Sequence, residues 1–383
     1  MAEGSPWRVL DVSGSTCAEN MGRMAVVCAS ILSGTHDRVL VIGTFGTTHF
    51  NVGWFDDVDE VVDVAACRRE GVELVRRPVY GGGTAYYDAD AVMFVSQLVR
   101  AEEFAGLDAA LEAWQPVVTD ALDRLGLGEA GFEGSSDVRW HGRKLGSFMA
   151  NAVLGCIAVG GYLNLRRPDL DLYARCAKVP AAKFADKATD DPIHYIVTPE
   201  EIRAGGSAVA FTDAKVAFCA ALEAHTPHRC REVPLDPAER AGTAALAQQM
   251  ASEENLLRVS SARFRATAPA GSRVGFGFHK ARKLIRVGIA VDAAAVIVAA
   301  MVAGDMFVSP PDAMDDCAAA LVGVHAADGA AVAAALAAVL ARPDVVQADA
   351  HLGIDAGDLA AAVAIAFADT ATPAAADAPA DRA

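Results

Sequence analysis

The sequence predicts an α+β fold divided into two domains. Its 383 residues exceed the length of most single domains. Short apolar runs typical of strands are interspersed with segments of helical periodicity, and residues 137–165 alternate in the manner of strands joined by tight turns. Hydrophobic residues make up 53% of the chain and charged residues 21%, so disorder is not the default.

The first half of the chain alternates strands with helices. Strands are expected at 7–12, 38–43, 72–77 and 93–99, and helices at 17–32, 57–71 and 106–125. The helix at 57–71 has acids at its start, arginines at its end and Gly71 as its stop. Within 137–165 we expect turns at Gly142 and at Gly160-Gly161.

A domain boundary is expected near 258–262. It follows a helix at 236–257, which has Asp236 as its N-cap and Pro237 at its first position. Further helices are expected at 311–322, 329–341 and 355–369. We therefore predict domains at 1–259 and 260–370, with a low-complexity, disordered tail at 371–383.

The longest apolar run extends from Lys283 to Phe307. A membrane span needs ~20 uninterrupted apolar residues. Arg286 and Asp292 interrupt this run. We therefore predict a strand, a short turn at Asp292-Ala293 and a second strand, and no association with a membrane.

Charge and cysteine content exclude some classes of function. The formal net charge is -16, whereas nonspecific nucleic-acid binding needs clustered lysine and arginine. The N-terminus lacks a basic region followed by an apolar core, so we expect no secretory signal and a cytoplasmic location. Eight cysteines without a CxxC pair predict reduced, buried thiols.

One short cluster has the residue types of a metal site. His225, His228 and Cys230 lie within six residues of one another. A fourth ligand is not evident, so a polar loop between helices is favoured over metal binding.

Three consecutive glycines, Gly81, Gly82 and Gly83, follow the strand at 72–77. Because glycine lacks Cβ, a ligand oxygen can approach the peptide N–H groups directly. The stretch matches neither GxxxxGK[ST] nor GxGxxG, and a plain hairpin turn is an open alternative. Arg76 and Arg77 just upstream favour an anion site, since two guanidiniums need an anionic partner.

A second unusual feature is Lys144, within "GRKLGSF". The chain has only seven lysines, and this one is flanked by Leu145 and Gly146 in a predicted strand. A solvated surface lysine is one interpretation. The other is an ammonium that stabilises a developing negative charge.

Together these features resemble the lipoate–protein ligases, relatives of the biotin ligases and of class II synthetase catalytic domains. The segment "WRVLDVSGSTCAENM" is similar to the family's opening strand and helix. The segments "ELVRRPVYGGGTAYYD" and "DVRWHGRKLGS" resemble its R-R-x-x-G-G-G-x-x-x-H-D and D-x-x-x-x-G-[KR]-K-[IL]-x-G-S motifs. The segment "AGDMFVSPPDAMDDCAAALVG" is similar to its accessory domain.

The resemblance implies a catalytic domain at 1–259, with a mixed or antiparallel sheet flanked by helices, and a small α/β accessory domain at 260–370. It implies that lipoate or octanoate reacts with ATP, in the presence of Mg²⁺, to give an acyl-adenylate. A lysine of a lipoyl carrier then accepts the acyl group. The carrier would be a dehydrogenase E2 domain, a glycine-cleavage H protein or a related protein, and the enzyme a monomer.

The resemblance also assigns roles to individual residues. Lys144 would be catalytic, bridging carboxyl and α-phosphate oxygens. The residues implied for ATP are Arg77, Gly82, Gly83, Thr84, Ala85, Lys144 and Asp137. The residues implied for lipoate are Arg77, Tyr80, Gly81, Tyr87, Asp88 and Lys144. No metal ligands are assigned.

The chain departs from the family pattern at several points. Tyr87 stands where the family has histidine, and Asp56 stands where it has glutamine. Three residues instead of two separate Arg77 from Gly81, and the motif after Lys144 is one residue shorter.

Two other functions stay open at the level of sequence. One is acyl transfer from a carrier thioester without ATP, which in relatives uses a nucleophilic cysteine. The segment upstream of Lys144 has no cysteine, and Cys156 is predicted to be a packed strand thiol. The other is a non-catalytic acyl- or carrier-binding protein, which the shortened lysine motif and Tyr87 would favour.

Overall fold

A computed structural model describes residues 5–78, 82–178, 195–347 and 353–371 of the chain. These residues group into two compact units. The first unit contains 5–52, 62–78, 85–178 and 195–256, and the second contains 53–61, 82–84, 257–347 and 353–371. Two short stretches of the first half thus group with the C-terminal residues. The assignment of 1–259 and 260–370 as separate domains stays a prediction.

The first unit is built on an eight-stranded mixed sheet with the order β11-β1-β2-β6-β10-β9-β8-β7. Its strands are β1 Trp7–Asp11, β2 Arg38–Thr44, β6 Val92–Arg100, β7 Gly131–Glu133, β8 Asp137–Trp140, β9 Arg143–Val153, β10 Cys156–Asn164 and β11 Cys230–Glu232. Strand β1 is parallel to β2 and β11, and every other pair is antiparallel.

A second, three-stranded sheet in this unit has the order β4-β3-β5. Its strands are β3 His49–Val52, β4 Glu73–Arg76 and β5 Ala85–Tyr87. Strand β3 is parallel to β4 and antiparallel to β5. Arg77 directly follows β4, which lies beside the central strand β3.

Helices cover the large sheet on both faces. The described helices of the first unit are α1 Cys17–Leu32, α3 Val64–Glu70, α4 Leu107–Arg124, α5 Leu170–Cys176, α6 Pro199–Ile202, α7 Phe211–His225, α8 Pro237–Met250 and α9 Glu253–Leu256, with a 3₁₀ turn at Ala101–Glu103. Alternate strand residues point to opposite faces, so Leu40 packs with α4 and α7 while Val39 packs with α1. The predicted mixed sheet flanked by helices is confirmed.

The predicted turn at Gly160-Gly161 is wrong. Both glycines lie inside β10, and the chain turns instead at Leu154-Gly155. A Cβ on Gly160 would lie 2.5 Å from the Ser96 side chain, and one on Gly161 would lie 1.8 Å from the Ser147 carbonyl oxygen. These glycines permit close approach of the neighbouring strands and do not mark a chain reversal.

Two predicted helices are each divided in the structure. The segment 57–71 forms α2 Val58–Val61 and α3, because Asp63 caps a new helix by accepting a hydrogen bond from the Ala66 amide. Gly71 ends α3 in the left-handed conformation, as predicted. The segment 236–257 likewise forms α8 and α9.

The second unit has its own sheet and core. It contains α2, α10 Ser261–Thr267, β12 Arg273–Lys280, β13 Leu284–Val291, β14 Ile297–Gly304, β15 Val308–Ser309, α11 Ala313–Leu321, α12 Gly329–Leu340, β16 Val346–Gln347 and α13 Ala356–Asp369. Strands β12, β13 and β14 form an antiparallel sheet, and β15 pairs with β16. The predicted strand–turn–strand at 283–307 is confirmed. Within the described ranges, no helix combines the length and apolarity of a membrane span.

Candidate active site

Lys144 lies near the start of β9, where its main chain is held on both sides. Its carbonyl oxygen accepts hydrogen bonds from the Val197 amide at 3.1 Å and from Asn164 Nδ2 at 3.3 Å. The register between β8 and β9 shifts next to Lys144, at Val138/Arg139. A shift of this kind re-aims side chains, and the Lys144 side chain is 19% exposed. Lys144 therefore combines a fixed backbone with a partly exposed side chain.

Asp137, at the start of β8, has donors on both carboxylate oxygens. Lys144 Nζ lies 2.8 Å from Oδ1, Ser147 Oγ donates to the same oxygen at 3.0 Å, and Arg139 Nη2 donates to Oδ2 at 2.7 Å. Burial raises the pKa of Asp137, but the charge of Lys144 and these hydrogen bonds outweigh burial and hold the pKa below its ordinary value. Asp137 is ionised at neutral pH and orients the Lys144 ammonium.

Aromatic rings connect the region of Lys144 to β5. Lys144 Nζ lies 5.9 Å from the centroid of the Tyr162 ring, and that ring contacts Tyr87 edge-on at 5.2 Å. Tyr87 in turn lies 5.2 Å from the Phe45 ring. Tyr87, which stands where the family has histidine, is therefore part of a row of aromatic rings that extends from Phe45 to Lys144.

The positive charges of Arg77 and Lys144 both affect the pKa of the Tyr87 phenol. Burial raises the pKa of Tyr87, the neighbouring Tyr162 raises it further, and the positive charges of Arg77 and Lys144 oppose this rise. Both cations can act on one phenol only if both are within Coulombic reach of it. Direct contacts link Lys144 to Asp137 and, through the Tyr162 ring, to Tyr87, and these residues and Arg77 all lie in the first unit.

The two adjacent arginines have different surroundings. Arg76 is fully buried, and its guanidinium donates to the carbonyl oxygens of Asn255 and Leu256. Arg77 is half-buried, its amide donates to the Val52 carbonyl at 3.0 Å, and Nη1 donates to the Asn51 carbonyl at 3.3 Å. Arg76 thus ties β4 to the end of α9, whereas Arg77 is the arginine near Tyr87.

Among the residues implied for lipoate, Asp88 is engaged by protein groups. It accepts hydrogen bonds from the Thr48 hydroxyl and from the amide of Asp169, which caps α5. Tyr80 and Gly81 lie outside the described residues. Ala85 opens β5 and pairs with Asn51.

Gly82, Gly83 and Thr84 belong to the second unit. Gly82 has a φ of 76°, a left-handed conformation that favours glycine. The Thr84 amide and hydroxyl donate to Asp56 Oδ2 at 2.6 and 2.7 Å, and the Gly53 amide donates to the Thr84 hydroxyl at 3.2 Å. Asp56, at the family's glutamine position, therefore fixes the end of the glycine loop.

His49 is a residue of this region that sequence reasoning missed. It is fully buried on β3 directly opposite Tyr87, and its ring lies 4.5 Å from that of Phe45. Nδ1 is 2.9 Å from the Thr47 carbonyl, and Nε2 has no hydrogen-bond partner among the described residues. Burial lowers the pKa of His49 to about 4, so the imidazole is neutral. The signal that could have found it is strand alternation, which places the side chains of His49 and Asn51 on the same face of β3.

The predicted polar loop at 225–230 shows no metal site. Nowhere in the part of the chain that the structure describes do three or more histidine, cysteine or acidic side chains group as metal ligands. His225 Nε2 instead lies 3.4 Å from Asp120, and the Cys230 thiol faces the Cys219 carbonyl.

Comparisons with known proteins show what this part of the chain is similar to. Residues 16–199 match the family model described as the lipoyl protein ligase A/B catalytic domain. The chain is 29% identical over 161 residues to lipoate-protein ligase A subunit 1 of Thermoplasma acidophilum, covering 40% of this chain and 56% of that protein. It is 27% identical over 128 residues to octanoyltransferase LipM of Carboxydothermus hydrogenoformans, covering 33% and 46%. The chain spans about half the length of these two relatives.

Solved structures resemble the fold over a larger share of the chain. A bipartite lipoate protein ligase from Thermoplasma acidophilum has a TM-score of 0.56 at 18% identity, covering 66% of this chain and 97% of that one. LipL1 of P. falciparum in complex with lipoate has a TM-score of 0.61 at 9% identity, covering 86% and 93%. A lipoate-protein ligase A bound with ATP has a TM-score of 0.53 at 17% identity, covering 66% and 98%.

At these identities the structures establish a shared fold alone, and the predicted lipoate-ligase fold is confirmed. The sequence match contains β3, β4 and β5, the glycine loop, Asp137 and Lys144. Residues 16–199 are therefore similar to the lipoyl protein ligase A/B catalytic domain, and the relatives that the chain resembles include a lipoate-protein ligase and an octanoyltransferase.

Proposed function

We propose that this protein is an ATP-dependent lipoate–protein ligase, which forms lipoyl-AMP and then transfers the lipoyl group to a lysine of a lipoyl carrier domain. The observation that carries the proposal is the Lys144 ammonium, which lies 2.8 Å from Asp137 and 5.9 Å from the centroid of the Tyr162 ring, beside Tyr87. A site with two cations and half-buried aromatic rings suits a substrate with a carboxylate head and an apolar tail.

The first step requires cations because it brings two anions together. The lipoate carboxylate attacks the α-phosphorus of ATP, an oxygen–phosphorus bond forms, and pyrophosphate leaves. Repulsion between carboxylate and phosphate opposes this approach unless fixed positive charge screens it. Lys144 would donate to the carboxylate and to an α-phosphate oxygen, and Arg77 would hold the carboxylate.

The second step converts the mixed anhydride to an amide. The neutral amine of a carrier lysine attacks the acyl carbon, and AMP leaves with the bonding electron pair. Asp137 would act as a positioning residue, because its hydrogen-bonded carboxylate fixes the direction of the Lys144 ammonium. Gly82, Gly83, Thr84 and Ala85 are proposed to present main chain to the nucleotide.

The positions of the cysteines support the ligase over a thioester-forming transferase. Cys156 starts β10 opposite Val153, nine residues along β9 from Lys144, a separation of roughly 30 Å. Cys219 and Cys230 lie with α7 and β11, at the edge of the sheet five strands from β9, or roughly 24 Å away. Burial raises the pKa of the Cys17 thiol well above its ordinary value, so the buried Cys17 is a poor nucleophile.

Mg²⁺ is proposed to arrive as the counter-ion of ATP. Both Asp137 oxygens already accept from an ammonium, a hydroxyl or a guanidinium, so this carboxylate does not fit as a direct metal ligand. Mg²⁺ commonly binds substrate phosphates with few protein ligands. We assign no catalytic step to the metal.

The proposed partners are lipoate and a lipoyl carrier domain. The bipartite ligase of similar fold was solved as part of a lipoylation system together with its E2 lipoyl domain, and LipL1 was solved in complex with lipoate. Extending these partners to this chain is part of the proposal, as are octanoate as an alternative acid and a monomeric state.

The test measures ATP use and carrier modification separately. The protein is incubated with ATP, Mg²⁺ and lipoate while pyrophosphate is measured, and then with a lipoyl carrier domain whose mass is followed. A ligase releases pyrophosphate and adds a lipoyl group to the carrier only with ATP. Octanoyl transfer from an octanoylated carrier without ATP, with no pyrophosphate, would establish the transferase instead. The absence of both reactions would indicate a non-catalytic binding protein.

A further inference from the structure

The segment Gly53–Val61, which we term the clasp, lies between two strands of the first unit in sequence but belongs to the second unit. Consecutive residues of the clasp contact different parts of that unit. Trp54 Nε1 donates to the Pro311 carbonyl at 2.8 Å, the Phe55 carbonyl accepts from the Gly304 amide at 2.9 Å, and the Val58 amide donates to the Val259 carbonyl at 3.1 Å. The clasp is thus fixed on both sides of Asp56 and Asp57.

Asp56 carries the contact to the glycine loop. Its Oδ2 accepts from both the amide and the hydroxyl of Thr84. A Cβ on Gly53 would lie 2.7 Å from the Gly82 carbonyl oxygen and 2.8 Å from Asp56 Oδ2. The loop therefore packs against the clasp too closely for any side chain at position 53.

Asp57 points into the interior of the unit toward Arg286 of β13. The Asp57 side chain is fully buried and that of Arg286 is 5% exposed. Arg286 Nη1 lies 3.7 Å from Asp57 Oδ2, Nη2 lies 3.6 Å from Glu60, and the guanidinium lies 4.0 Å from the Phe278 ring. Asp57 Oδ1 accepts from the amides of Asp59 and Ser261.

Arg286 is a charged residue in the otherwise apolar central strand of its sheet. Every residue of β13 is buried, and Arg286 is its one charged member. Its Nε and Nη2 have no hydrogen-bond partner within the described ranges, nor has Asp57 Oδ2. Burying an ion pair costs free energy compared with apolar packing. A contribution to stability therefore does not explain why Asp57 and Arg286 are buried together.

We infer that Arg286 is a positioning residue for nucleotide use, acting through Asp57 and Asp56 on the main chain at Thr84. Adjacent residues of one short turn carry the two contacts, so a shift of Asp57 moves Asp56 and the amide that it holds. The inference rests on the proposed function in one respect, namely that the glycine loop serves the nucleotide.

The first experiment requires no activity. Hydrogen exchange of the Thr84 amide is compared in the wild type, in Arg286→Lys and in the charge-neutral double variant Asp57→Asn/Arg286→Met. We expect at least tenfold faster exchange at Thr84 in the double variant and partial recovery in Arg286→Lys, which keeps the charge. The Ile297 amide, which donates to Val324 in the same unit, serves as the internal control. Unchanged Thr84 exchange in the folded double variant overturns the inference.

The second experiment separates ATP use from acyl transfer. The double variant is expected to raise the KM for ATP about tenfold. Transfer from supplied lipoyl-AMP to the carrier should change less than twofold. Arg342→Met is the matched control, because Arg342 lies in the same unit and pairs with Asp316 and Asp344 at the surface.

The outcomes distinguish the two proposals. An unchanged KM for ATP in the folded double variant, or an equal loss in both reactions, counts against positioning by Arg286. If the wild type releases no pyrophosphate, the proposed function fails, and Thr84 exchange alone then decides whether Arg286 positions the loop.

Discussion

Asp137 and Asp57 are both carboxylates beside a basic side chain, yet their surroundings shift their pKa values in opposite directions. Asp137 has direct donors at 2.7 to 3.0 Å on both oxygens, and its pKa is lowered. Asp57 is fully buried with its cation at 3.7 Å, and burial raises its pKa although hydrogen bonds from the Ser261 main chain and side chain and the charge of Arg286 oppose the rise. Direct donors around a half-buried carboxylate therefore outweigh desolvation, whereas one distant cation in a dry interior does not.

This difference separates two uses of charge. The cluster at Asp137 keeps the ammonium of a partly exposed lysine oriented, which suits a catalytic role. The pair Asp57–Arg286 holds two chain segments in register within the second unit, which suits positioning.

The largest expected effect comes from breaking the buried pair on one side only. Arg286→Met leaves Asp57 without its cation, and we expect the free energy of unfolding to fall by about 3–5 kcal/mol. Urea denaturation of Arg286→Met and of Asp57→Asn/Arg286→Met measures this. The double variant should recover most of the loss, because it buries no uncompensated charge. An equal loss in both would show that packing, not charge, dominates at this position.

Loss of the Lys144 side chain, which pairs with Asp137, is expected to affect activity far more than stability. Lys144→Ala should lower the rate of pyrophosphate release about 10²–10³-fold, as loss of an electrostatic donor does elsewhere. The matched control is Lys215→Ala, since Lys215 is 22% exposed and lies 2.7 Å from Asp11. Both variants should melt at nearly the wild-type temperature. Normal turnover by Lys144→Ala would remove the role assigned to it.

His49 extends the comparison to a buried base. Its pKa of about 4 lies below the unfolded value of about 6.5, so the neutral form is favoured in the fold. The stability from this group is present above pH 6.5 and is lost as pH falls toward 4, by roughly 3 kcal/mol. Denaturation of the wild type and of His49→Gln across this range tests the effect. The variant should show a flatter pH profile.

The smallest effect concerns the opposite pKa shifts of the two carboxylates. The stability contributed by Asp137 is present above about pH 4 and is lost as pH falls through its lowered pKa. The contribution of Asp57 is fully present below about pH 4 and is lost as pH rises through its raised pKa. Melting curves of Asp137→Asn and Asp57→Asn against the wild type should therefore differ in the sign of their pH dependence. The same sign in both would contradict the balance between direct donors and burial that separates the two carboxylates.

Local sequence was sufficient to predict much of the fold. The strands at 7–12 and 38–43, the helix at 17–32 and the turn at Asp292 follow from periodicity and from polar breaks in apolar runs. The predictions that failed depended on distant neighbours. Gly160-Gly161 resembled a turn, but Ser96 and Ser147, both remote in sequence, explain why glycine is present there.

The candidate site shows the same division. Arg77 and Lys144 were predicted from the residue pattern and from the resemblance to a family, and Asp137 was predicted from that resemblance alone. His49, Tyr162 and Asp56 were missed as site residues, because each acquires its role only through pairing or packing with residues elsewhere in the chain.

The sequence by itself determined the residue types of the site, the class of fold and the resemblance to a family, since these follow from local patterns and motif spacing. Only the tertiary structure decided which arginine lies near Tyr87, and that Asp56 and Asp57 face different partners. The physical reason is that charge depends on solvation and on donor distance. Both are properties of surroundings that residues from several distant segments create together.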